Sequence, residues 1–194
     1  QLHKRAVDGS LDREIVHSQL NDIFQAVESS PKRLRAMWAL QVTEGLGPAR
    51  LADLLQHKDE YVRAWAIQFL CDASKANAFQ DASSITESPV EKLILDRFAE
   101  MAKSDTSQIV RLYLASAVQR LPFADRWPIL AGLVSHSEDV TDNNLPRMYW
   151  FGLEPMVPAH PKESLELSVS GKIPTLPEFV ARRLVTGNAP VVSV

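Results

Sequence analysis

The side chains that ordinarily do chemistry are present in this sequence, but seldom at chemical spacings. Five histidines, His3, His17, His57, His136 and His160, are scattered, with no two standing three or four residues apart. A helix needs that spacing to present two imidazoles to one ion, so no HExxH pair or metal-ligand cluster is expected. His57 and His136 fall at helix ends, where contact with a carbonyl or the helix dipole is the ordinary role. The single cysteine, Cys71, excludes an internal disulfide, a CxxC redox pair, a multi-thiolate zinc site and c-type haem attachment within the chain. It follows an apolar helix with no assignable base beside it, and it reads as a buried thiol.

Acidic side chains collect at Glu138, Asp139 and Asp142, and again at Glu87 and Glu91. Paired carboxylates could serve hydrolysis or hold calcium, yet 138–142 lacks the glycine and terminal glutamate of an EF-hand loop. A solvated loop is the expectation there. Gly45-Leu46-Gly47 reads as a turn, because no Lys-Ser/Thr pair follows as in a phosphate loop. Trp38, Trp65, Trp127 and Trp150 invite a carbohydrate or haem platform. Trp38 and Trp65, however, lie on apolar stripes and read as core. The run MYWFG at 148–152 sets three aromatics side by side; they cannot share one core, so one is expected to face a groove or a partner. No catalytic, cofactor-binding or metal-binding residue is assigned, and no cofactor is expected.

Helices must position whatever these residues do. The stretch DEYVRAWAIQFL at 59–70 opens with an aspartate and sets Val62, Trp65, Ala66, Phe69 and Leu70 at three- and four-residue spacing. A related phrase, SDTSQIVRLYLASAV, occupies 104–118, and looser relatives occupy 31–42 and 143–153. The sequence therefore predicts an all-α fold, an α-solenoid of stacked antiparallel helix pairs over 1–194 as a single domain. Within it, 71–88 reads as an inserted loop and 187–194 as a tail. Ser10 is the expected cap of a helix running from Leu11 to about Glu28 along Ile15, Val16, Leu20, Ile23, Phe24 and Val27. Ser30 caps the next, with Pro31 at its first position. Ser88-Pro89-Val90-Glu91 is the strongest start signal and opens a helix to about Lys103. Further helices are expected at 123–134, with Pro128 tolerated only near the start, then from Pro146, at 162–169 and at 175–185.

Arg35, Arg63, Arg111 and Arg147 recur on these helices. In D-x-x-V-R at 59–63 the aspartate caps, the valine packs and the arginine bridges the corner to the preceding repeat. The arginine series could bind an anionic partner or tie successive repeats together, and the second is favoured.

Of 194 residues, 45% are hydrophobic, a content at which a chain folds. Lys and Arg number 21 against 24 Asp and Glu, a formal charge of −3, which gives no broad basic surface of the kind nucleic acid demands. No apolar run is long enough for a membrane span. The first residues lack the apolar core of a signal peptide, and a chain beginning with Gln is expected to be a processed or excised piece.

The aspartate, valine and arginine of 59–70 and 104–118 resemble the second-helix signature of the HEAT-repeat family. Segments at 33–47, 59–72, 98–105, 110–139 and 144–157 are similar to one group in particular. This is the HEAT segment of large secreted haem-binding, membrane-bound dehydrogenase-type proteins of planctomycetes and verrucomicrobia. The resemblance implies a propeller-like dehydrogenase domain before the helical segment, a cytochrome c module after it, and a periplasmic or secreted location. Sugar oxidation or electron transfer would then belong to the parent protein.

Three functions follow. The first is a non-enzymatic scaffold holding neighbouring domains or a protein partner. The second is a module contributing substrate or haem-domain contacts to an oxidoreductase. The third, nucleic-acid binding through an arginine-lined concave face, is disfavoured by charge. Weak self-association through 1–27 or 175–194 is expected where a longer stack has been cut.

Overall fold

The computed structural model describes residues 4, 6, 9–72, 88 and 90–187. Among these the secondary structure is entirely helical. Ten α-helices follow in order: α1 (Arg13–Ala26), α2 (Ser30–Val42), α3 (Pro48–Leu54), α4 (Glu60–Asp72), α5 (Lys92–Ser104), α6 (Gln108–Val118), α7 (Phe123–Leu133), α8 (Leu145–Leu153), α9 (Pro161–Ser170) and α10 (Thr175–Gly187). Two 3-10 turns, Ser137–Asp139 and Glu154–Met156, flank α8. The chain divides into two compact units, Gln1–Leu70 and Cys71–Val194.

In the first unit α1 packs against α2. Its core is Phe24 from α1, Met37 and Leu40 from α2, Leu51, Leu54 and Leu55 around α3, and Val62, Ala66 and Ile67 from α4. The α1 stripe is narrower than its periodicity suggests. Ile15 and Ile23 are exposed, and Phe24 is the helix's one buried residue. Asp12, not Ser10, caps α1: its Oδ1 accepts the Ile15 amide at 3.2 Å. Ser30 is likewise the first helical residue of α2, with Ser29 at the cap and Pro31 second. Both offsets are one or two residues, the ordinary error of reading a boundary from residue type alone.

α2 ends in a Schellman turn. The Gly45 amide donates to the Leu40 carbonyl at 2.7 Å, and Glu44 takes the left-handed conformation with φ of 64°. Gly45 serves the turn by its smallness: a Cβ there would sit 2.9 Å from Leu40 Cδ2 and 3.0 Å from the His17 ring.

The second unit shows how helix pairs stack. α5 packs on α7 and α6 on α8, while α6 also meets α7 and α7 meets α8. First helices thus lie on first helices and second on second, the packing of consecutive hairpins one on another. α9 pairs with α10, which also touches α8. The α5–α7 contact is close because Gly132 has no side chain. A Cβ there would fall 2.8 Å from the Lys103 nitrogen and 2.9 Å from the Ala102 carbonyl carbon. Phe98, Leu114, Leu121, Leu130, Leu133 and Leu153 fill the interior.

Some boundaries depart from expectation. Cys71 and Asp72 extend α4 rather than opening a loop, and 73–87 lies outside the described residues. α5 starts at Lys92 with Glu91 at the cap, after the expected Ser88 start, and Pro89 is outside the described residues. Pro128 stands six residues into α7, past the first turn, where it deprives the Ala124 carbonyl of an intrahelical donor. Ala124 is exposed, so water can take that place. α10 runs two residues beyond the expected end, and 188–194 lies outside the described residues.

Candidate functional site

Polar side chains gather at internal corners of the fold, and aromatic ones gather on the surface. In the second unit the internal site is a carboxylate cluster. Arg111, the fourth residue of α6, donates to Asp139 from Nε at 2.7 Å and from Nη2 at 2.5 Å. Tyr149 of α8 donates its hydroxyl to the same carboxylate at 2.6 Å, and Gln108 adds a bond at 3.2 Å. Arg111 also closes its own corner by donating to the Asp105 carbonyl at 2.8 Å. Asp139 is therefore buried, a correction to the solvated loop expected at 138–142. A single turn of 3-10 helix turns its side chain inward while Glu138 and Val140 remain exposed.

Burial alone would raise the Asp139 carboxyl. The bonds from Arg111, Tyr149 and Gln108 outweigh it and hold the group below the ordinary carboxylate range. Burial, together with the carboxylate, pushes the Tyr149 phenol far above its usual value. Arg111, Asp139 and Tyr149 are each 0% exposed, so no substrate reaches them. A buried ion pair with every acceptor site engaged holds a corner; it is not built to turn over a ligand.

The first unit contains the same device. Arg33, again the fourth residue of its helix, pairs with Asp59 at 2.7 Å and donates to the carbonyls of Phe24, at 3.3 Å, and Val27. Ser30 also donates to Asp59, at 2.7 Å, while Asp59 accepts the Tyr61 amide at 3.0 Å. Burial would raise this carboxyl too, but these bonds bring it below its usual range. Arg63, fourth in α4, donates to the His57 carbonyl at 2.8 Å. Arg33, Arg63 and Arg111 each reach the carbonyl six residues back, at Val27, His57 and Asp105.

The arginine series is corrected accordingly. Arg35 and Arg147 are exposed and make no ion pair among the described residues. Arg33 takes the place expected of Arg35. The signal that finds it is position from the helix start, since matching the letters RAMW to RAWA shifts the register by two. Sequence reading also missed Arg126, which is fully buried. It donates to the carbonyls of Leu121 at 2.8 Å, Gln119 at 3.1 Å and Gly152 at 3.1 Å, and lies 5.0 Å over the Phe123 ring. These oxygens close the ends of α6 and α8, where helix dipoles favour a cation. Burial lowers its pKa to about 10.

The histidines take structural places. His17 Nε2 meets the Thr43 carbonyl and hydroxyl, each at 3.0 Å. His57 Nδ1 accepts the Asp59 amide at 3.0 Å; burial and Arg33 lower its pKa. His136 Nε2 donates to the Ala102 carbonyl at 2.8 Å, at the end of α5. His160 lies edge-on to Trp127 at 5.8 Å. Burial pushes the Cys71 thiol up to about 12, which leaves it protonated. His3 and Glu87 lie outside the described residues, and Glu91 is an exposed cap residue. No group of three or more His, Cys, Asp or Glu among the described residues is placed to hold a metal ion. No described helix is long and apolar enough to cross a membrane.

The aromatics divide between core and surface. In MYWFG, Tyr149 points into the carboxylate cluster, Trp150 packs at 5.5 Å against Phe179 of α10, and Phe151 is exposed. Trp38 corrects the core assignment: it is 39% exposed. Its ring stands edge-on to Trp65 at 5.0 Å, and Trp65 leans on Phe69 at 5.4 Å. Beside this stack an open groove of about 520 Å³ is lined by Ser30, Pro31, Leu34, Arg35 and Trp38 of α2 and Tyr61 of α4. This groove is the candidate functional site. Comparison with protein-family models, curated proteins and solved structures finds no match for the chain.

Proposed function

We propose that this chain is a non-enzymatic interaction scaffold built of HEAT-like helix pairs, which holds a protein partner or neighbouring domains of a longer polypeptide. The observation that carries this reading is the contrast between the engaged charges buried in the core and the largely apolar α2–α4 groove open to solvent. Arg33, Arg111, Arg126, Asp59 and Asp139 are satisfied by one another and by backbone and side-chain partners, and the α2–α4 groove is lined by Trp38, Tyr61, Leu34 and Pro31 beside Ser30 and Arg35. Exposed rigid aromatics beside an arginine are the residue types that anchor protein interfaces. The likeness to dehydrogenase-type proteins supports a partner among flanking modules of one secreted or periplasmic polypeptide. Electron transfer would then belong to those modules.

Site-specific photocross-linking in the full-length protein tests the scaffold reading. A photoreactive phenylalanine is placed singly at exposed positions, among them Trp38, Tyr61, Phe151, Val169 and Val185. Recurrent protein adducts from a contiguous subset of positions are expected. If no position yields a recurrent adduct, the scaffold reading fails.

A further inference from the structure

The geometry points to an extended peptide segment of the pattern apolar–x–acidic–x–apolar as the occupant of the α2–α4 groove. This rests on the scaffold reading above and names the site and its ligand. Pro31, Arg35, Trp38 and Val42 are all exposed and fall at helical spacing along one face of α2. At a rise of 1.5 Å per residue, Pro31 to Val42 spans roughly 16 Å. Tyr61 of α4, 41% exposed, also lines the groove, and Asp59, which accepts from both Ser30 and the Tyr61 amide, ties it to the start of α2.

Charge decides the centre of the ligand. Among the described residues that line the groove Arg35 alone is charged, and it has no ion-pair partner among the described residues. Asp59, which accepts from the groove residue Ser30, is already engaged by Arg33, Ser30 and the Tyr61 amide. An incoming carboxylate therefore meets a guanidinium free to form a charge-assisted pair. Along α2, Arg35 stands about 6 Å from Pro31 and about 5–10 Å from Trp38 and Val42. Alternate residues of an extended strand recur at about 6.7 Å and share one face. A central Asp or Glu on Arg35 thus sets one apolar side chain over Pro31 and Tyr61 and the other over Trp38 and Val42. The Trp38–Trp65–Phe69 stack holds the indole in place before binding, which lowers the ordering cost.

A single strand of nucleic acid could also stack on Trp38 and Tyr61. It brings a phosphate at every nucleotide, however, and the described residues of this groove offer one cation for them. A second copy of the chain is the other possible occupant.

The test is an NMR titration of the ¹⁵N-labelled chain with acetyl-Ala-Leu-Ser-Glu-Ser-Leu-Ala-amide, following the Trp38 indole signal, assigned by its loss in Trp38→Phe. A saturable shift confined to the groove is expected. Arg35→Gln, or Gln for Glu in the peptide, should each weaken binding about tenfold. Combining the two changes should cost little more than either alone. The assignment is overturned by equal affinity for the Glu and Gln peptides, or by no saturable shift up to millimolar peptide. Tighter binding of a ten-residue oligothymidylate, or sedimentation showing a dimer that Tyr61→Ala dissolves, overturns it equally. If cross-links persist from other faces while the peptide fails, this site falls and the scaffold reading stands.

Discussion

Arg111 grips Asp139 across 28 residues of sequence with two bonds, and neither side chain reaches solvent. Arg33 and Asp59 repeat the relationship across 26 residues in the other unit. In each case an arginine in the first turn of one helix, α2 or α6, holds a carboxylate that lies ahead of a later one, α4 or α8. The pairing ties one helix start to the loop before a later helix. Removing one partner strands a buried charge. Asp139→Ala is expected to cost about 3–5 kcal/mol in urea unfolding, whereas Tyr149→Phe, which removes one bond, should cost about 1–2 kcal/mol.

The two arginines of α2 separate structure from surface. Arg33→Gln leaves Asp59 and two carbonyls without a strong donor and is expected to lose about 2–4 kcal/mol. Arg35→Gln, two residues on and exposed, should stay within about 0.5 kcal/mol of the parent. Equal losses would mean that the arginine series is a ladder after all.

Acid should unfold the chain in two stages. Burial and Arg33 depress the His57 pKa, so its contribution is complete above about pH 6.5, the ordinary imidazole value, and falls as pH drops through the folded value. Asp59 and Asp139 also have depressed values, so their contributions hold above about pH 3.9 and disappear on further acidification. Urea midpoints at pH 8, 5 and 3 should therefore fall in that order. A midpoint that rises between pH 8 and 5 would contradict the assignment.

Glu44 carries a strained backbone that a glycine would relieve. Glu44→Gly is expected to raise stability by about 0.5–1 kcal/mol by thermal unfolding, because the exposed ion pair with Arg13 that it gives up contributes little. Gly132→Ala is the opposite case: backbone atoms of α5 cannot yield to a new Cβ, and a loss of about 1–3 kcal/mol is expected.

Helix identity was legible because apolar spacing such as Val62, Ala66 and Phe69 depends only on local sequence. Helix stacking in the second unit also followed from one-sided stripes that need a neighbour. The buried Asp139 was hidden, since its loop, SHSEDVTDNN, has the composition of a solvated one. Only tertiary contact with Arg111 and Tyr149 turns the carboxylate inward. Arg126 was hidden for the same reason: its partners are backbone carbonyls, which every residue carries. Trp38 misled because its stripe is shared between two neighbours, Trp65 covering one edge of the ring and solvent the other.

The buried arginine corners hold the fold, and the α2–α4 face is proposed as the binding surface. The direct measurement is an alanine scan over Pro31, Arg35, Trp38, Val42 and Tyr61, reading thermal midpoint and yield of the partner cross-link on the same samples. Arg33→Gln and Arg111→Gln serve as the structural comparison. Separation is the predicted result, with groove variants losing most of the cross-link at nearly unchanged midpoint and corner variants losing midpoint first. Groove variants that keep full cross-link yield, or lose it only in step with stability, would contradict the account.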